Sequence, residues 1–92
     1  MNTKRKLLVL ARRDHAEAMR VAAGLTIFGH QVRLVFMDRL VAETEENAAM
    51  AELLALSDIA PETTVAEQTD LAYLDAAALG AAIAEADGVL SL

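Results

Sequence analysis

Residues 7–11, LLVLA, form an unbroken apolar run, and QVRLVFM, residues 31–37, reads as a second strand. A strand with one wet face alternates apolar and polar residues. An uninterrupted run marks a strand covered on both faces, as in a parallel sheet. Between the two stretches Ala18, Val21, Ala22, Leu25 and Phe28 recur at helical spacing, and Gly29 supplies the left-handed residue that ends a helix. The first 37 residues therefore read as one βαβ unit.

The remainder continues the alternation. A second helix is expected after RLVAETEEN, with Met50, Leu53, Leu54 and Ser57 inward, with Glu45, Glu46 and Glu52 toward water, and ending before Pro61. ETTVAE, residues 62–67, is short and rich in β-branched residues and is expected to be a strand, while QTDLAYL fits neither period. Asp75 is placed to cap a third helix, AAALGAAIAEA, and Asp87 and Gly88 turn the chain into a last strand, VLSL. These elements predict one α/β domain over residues 1–92, a three-layer α/β/α arrangement around a mainly parallel sheet of four to five strands.

Of the residues, 55% are apolar, yet only three are aromatic and twenty are alanine, so the helices must be thin and lie close to what they cover. The third helix is apolar almost all round. If Leu79 and Ile83 cover the chain's own sheet, Gly80, Ala81 and Ala84 are left on another face as an expected oligomer interface. No cysteine is present, which excludes disulfides, thiolate metal sites and thiol nucleophiles. The basic start, Lys4 to Lys6, precedes an apolar run of five residues, shorter than the roughly 7 to 15 of a secretory signal, and no stretch approaches the roughly 20 of a membrane span. A cytoplasmic protein without membrane contact is expected. Residues 1–39 hold all eight Lys and Arg against three acids, and residues 40–92 hold eleven acids and no base, giving the net charge of −6. An acidic chain whose bases flank a strand rather than line one face is not expected to bind nucleic acid.

Chemistry concentrates in ARRDHAEA, residues 11–18, where the first strand ends and the helix begins. The loop after a parallel strand opens on the face where ligands usually bind. Asp14 suits the N-cap, and Glu17, three residues on, completes a capping box. Capping leaves Arg12, Arg13 and His15 unexplained. With Asp38 at the end of the second strand they make a candidate ligand or anion site. The loop lacks the glycines of dinucleotide or Walker-type phosphate binding. One imidazole with Asp14 and Asp38 falls short of a zinc ligand set, and His30 belongs to the opposite end of the sheet. Ser57, Ser91 and the threonines form no Ser-His-Asp pattern. No catalytic residue, metal or cofactor is assigned.

Three passages, KRKLLVLARRD, FGHQVRLVFMDRLV and EADGVLSL, resemble in order and content the DsrE/DsrF/TusD-like family of small sulfur-relay proteins. The resemblance spans nearly the whole chain. It implies a DsrE-like α/β/α domain that assembles as a homotrimer or hexamer, or in hetero-oligomers with related subunits, and a place in intracellular sulfur relay. Sulfur-carrying members use a cysteine after the third strand, where this chain reads VAEQTDLAYL, with Gln68 or Thr69 near that place. Neither can form a persulfide, so the resemblance implies a non-catalytic subunit or scaffold. The alternative is a small-ligand or anion-binding module using the loop after the first strand.

Overall fold

The computed structural model describes residues 5–92, so Lys4 of the basic start lies outside the described residues. The elements run β1 (Lys6–Ala11), α1 (His15–Ile27), β2 (Gln31–Phe36), α2 (Glu45–Leu56), β3 (Glu62–Thr63), β4 (Ala72–Tyr73), α3 (Ala76–Glu85) and β5 (Gly88–Ser91). The five strands form one all-parallel sheet in the order β4-β3-β2-β1-β5, so the expected α/β class is the observed one.

Strand periodicity sorts the core. Val9 and Ala11 of β1, with Leu34 and Phe36 beside them on β2, pack against Ala18, Met19, Ala22 and Ala23 of α1 and Leu54 of α2. The intervening Leu8 and Leu10, with Val35, point to the other face and meet Ala82 of α3. Each such aliphatic side chain contributes roughly 1.5–3 kcal/mol on burial. Alanines at 18, 22 and 23 bring α1 close to the sheet, as the composition predicts.

Several expectations need correction. The inward face of α1 is His15, Ala18, Met19, Ala22 and Ala23, whereas Val21 and Leu25 are only half-buried. Phe28 is the helix's C-cap and is 74% exposed, because the helix stops before another turn could carry that residue inward. Gly29 follows with φ +86°, the left-handed conformation expected of it. The strand expected over 62–67 is only Glu62–Thr63, since the Thr63 hydroxyl accepts from the Val65 N–H and Gln68 N–H bonds back to the Val65 carbonyl, a turn. Two residues of the ambiguous QTDLAYL pair beside it as β4. On α3 the buried residue is Ala82, and Ile83 is exposed rather than covering the sheet, while Leu79 packs on the core and Gly80, Ala81 and Ala84 are exposed. Among the described residues no helix is long and apolar enough to cross a membrane.

Candidate functional site

The strand order reverses at β1, which has β2 on one side and β5 on the other, and in open parallel sheets a crevice forms at the carboxyl ends where that happens. Here the chain fills it. The N–H groups of Arg12, Arg13 and Asp14 converge on the Leu92 carbonyl oxygen at 3.2, 2.8 and 3.3 Å. Three successive donors on one oxygen make a concavity suited to an anion, but its occupant is the backbone of residue 92. A shallow cavity of about 260 Å³ remains beside it, lined by Arg12, Arg13, Ser91 and Leu92.

The other side of the loop is open. A cleft of about 320 Å³ separates the N-termini of α1 and α2. It is lined by Arg13, Asp14 and His15 from the start of α1 and by Arg39, Thr44, Glu46 and Asn47 from the segment that leads into α2. Asp14 caps α1 by accepting from the Glu17 N–H at 3.0 Å. The return bond of a capping box is not made, because the Glu17 carboxylate holds Arg20 at 2.6 and 2.9 Å and the Asp14 N–H faces Leu92. That ion pair holds the exposed Glu17 carboxyl below its ordinary pKa. Thr44 caps α2 in the same way, its hydroxyl accepting from the Asn47 N–H at 3.0 Å. The N–H groups of His15 and Ala16, and of Glu45 and Glu46, then meet no acceptor among the described residues. Two positive helix ends therefore open on one cleft.

Arg39 shapes this region. The Arg39 N–H bonds to the Met37 carbonyl at 2.9 Å, closing a γ-turn whose central residue, Asp38, has φ +73°. The turn folds Arg39 back over the preceding loop, where its guanidinium donates to the carbonyls of Arg12, at 3.0 Å, and Arg13. Asp38 meets Arg12 at 3.6 Å, both half-exposed, a pair worth at most about 1 kcal/mol. Arg12 and Asp38 thus engage each other, and neither lines the cleft.

His15 is 4% exposed, and its Nε2 has no hydrogen-bond partner among the described residues. An unpaired buried polar atom costs about 1–3 kcal/mol. Burial, reinforced by the Arg39 charge, holds the His15 pKa below its ordinary value, against the smaller opposing pull of the Met37 carbonyl, Asp38 and the Ala11 carbonyl. The imidazole is therefore neutral at neutral pH. His30 is at the far end of β2, where its Nδ1 accepts from the Arg5 N–H at 3.3 Å, away from His15 as expected.

Of the four residues singled out in the sequence, Arg13 and His15 line the cleft, with the His15 imidazole packed on Phe36. Arg39, Thr44, Glu46 and Asn47 were missed, although Thr44, directly before the acidic first turn Glu45–Glu46, carries a readable cap signal. Gln68 joins two loops, its Oε1 accepting from the Val41 N–H at 2.8 Å and its Nε2 donating to Asp70 at 2.6 Å, and Thr69 is exposed. Among the described residues no three His, Asp or Glu side chains are grouped to hold a metal ion.

Fold and site define an α/β domain with an all-parallel sheet and a polar cleft at the carboxyl ends of β1 and β2. No family model, curated protein or solved structure matches the chain.

Proposed function

We propose that this chain is a small-ligand-binding α/β module whose site is the cleft between the N-termini of α1 and α2. One observation carries the reading: two helix ends with unused N–H groups open on one cleft, which Arg13 also lines. Cleft volume lies at the small end of ligand sites. Inorganic phosphate should raise the melting temperature at constant ionic strength. Arg13→Ala should diminish that rise, and Arg12→Ala, which removes a partner of Asp38 outside the cleft, should leave it nearly unchanged. Equal loss in both variants would mean general charge screening and would sink the reading.

A second reading, assembly with like subunits, is favoured by α3 and β5. Only Ala82 of α3 is buried, while Gly80, Ala81, Ile83 and Ala84 face outward and Val89 and Leu90 stand exposed on the edge strand. An open apolar edge is a natural place for another chain to add. Sedimentation equilibrium at the mass of one chain would reject it. A cysteine-bearing sulfur-relay partner follows from the resemblance alone, and co-purification from the native host tests it.

A further inference from the structure

The outer edge of β5 presents a defined set of backbone groups. Within the sheet the strand pairs with β1 alone, in the register Leu8 to Val89, Val9 to Leu90 and Leu10 to Ser91. The Leu92 N–H bonds to the Leu10 carbonyl at 2.9 Å. Successive residues of a strand turn their backbone groups to opposite sides, so Leu90 also bonds toward β1, and the N–H and carbonyl groups of Val89 and Ser91 point away from the sheet. Val89 and Leu90 are 44% and 39% exposed, one on each face of the strand, so neither helix layer roofs this edge.

Edge strands are commonly guarded by a charge, a proline or a bulge. GVLS contains no charge and no proline, and its register with β1 advances one residue at a time. Charge stands instead at the two ends of the strand, with opposite sign. At its start Glu85 and Asp87 outnumber the neighbouring Lys6, whose N–H the Asp87 carboxylate accepts at 2.9 Å. At its end Arg12 and Arg13 line a cavity with Ser91 and Leu92; Arg12 is paired with Asp38, and Arg13 makes no ion pair among the described residues. A second copy added parallel to β5 would set acid beside acid and arginine beside arginine. An antiparallel copy sets each acidic end beside the other's arginines, and that orientation closes on a two-fold axis.

Resting on the assembly reading above, we propose that two copies of this chain pair through β5, antiparallel about a two-fold axis at Leu90. Val89 of each copy then exchanges two backbone hydrogen bonds with Ser91 of the other, and the two five-stranded sheets become one. The Leu90 side chains meet across the axis.

The chain has no cysteine, so one introduced thiol reports this contact alone. Facing each other across the axis, the two residues at position 90 have Cα atoms roughly 4.5 Å apart, within the span of a disulfide. Under mild air oxidation Leu90→Cys should form a disulfide-linked dimer, whereas Leu56→Cys, at a more exposed position on α2, should stay a single chain. Sedimentation equilibrium of the wild type should give the mass of two chains or an even multiple of it. Val89→Pro deletes an N–H that the chain's own sheet does not use and should halve that mass while the far-ultraviolet circular dichroism persists. A wild type at the mass of one chain overturns both the pairing and the assembly reading. A trimeric wild type, a folded Val89→Pro of unchanged mass, or Leu90→Cys that cross-links no more than Leu56→Cys overturns the β5 pairing and leaves assembly standing. The cross-linking comparison decides the matter if Val89→Pro does not fold.

Discussion

His15 meets Phe36 edge to face, with ring centroids 5.0 Å apart and planes at 64°, so a titratable side chain forms part of the apolar surface at the end of β2. Its pKa is lowered from 6.5 by burial first and by the Arg39 charge second. Between the lowered native value and 6.5 the unfolded chain binds a proton that the folded chain does not. Stability from this group is therefore complete above pH 6.5, falls as the pH drops through that window, and changes no further below the native pKa. Urea unfolding between about pH 8 and pH 5 should show the wild type losing more stability than His15→Gln over the same range. Equal losses would remove His15 as the source.

The half-formed capping box separates two neighbouring acids. Asp14→Ala removes the acceptor for the Glu17 N–H and should cost about 1 kcal/mol, read as a lower urea midpoint at unchanged slope. Glu17→Gln loses only the surface pair with Arg20 and should cost a few tenths of a kcal/mol, roughly 0.2–0.5. A Glu17→Gln cost as large as that of Asp14→Ala would mean that the box closes reciprocally in solution.

Arg39 links loop order to the His15 ring. Its guanidinium spans two carbonyls at once, which the single ammonium of Arg39→Lys cannot reproduce. Arg39→Lys should speed amide hydrogen exchange at residues 12–14, whose N–H groups hold Leu92. Arg39→Met also removes the cation that lowers the His15 pKa, so the imidazole should titrate at higher pH by NMR. Unchanged exchange and an unmoved titration would show that Arg39 neither orders the loop nor acts on the ring.

Legibility in the sequence followed local chemistry. The apolar run of β1 announces a buried parallel strand, and Asp14 and Asp75 announce helix starts, each accepting from the N–H three residues on. Two-residue strands such as β3 and β4 are too short to show a period, and their pairing is decided by neighbours in space. Position alone puts His15 in the loop after the first strand, whereas the packed face of α1 begins at that side chain. The cleft escaped because its lining comes from two separate segments, residues 13–16 and 39–47, and Arg39 enters it only through the left-handed turn at Asp38.

The third helix provides the sharpest contrast between neighbouring alanines. Ala82 lies at 2% exposure against Leu8, Leu10 and Val35, so Ala82→Glu overpacks that contact and takes a carboxylate out of water. It should destabilise the chain by several kcal/mol, roughly 3 or more, or prevent folding. Ala81 and Ala84 are exposed in the single chain, and their replacement by Glu should change the unfolding free energy by no more than about 0.5 kcal/mol if that face meets only water. If α3 is a subunit interface, the same two variants bury unpaired charge and lower the sedimentation mass while the far-ultraviolet circular dichroism of the subunit persists. Measuring both properties keeps folding and assembly separate. A wild type at the mass of one chain, or variants that retain an oligomeric wild-type mass, would assign the exposed face of α3 to solvent.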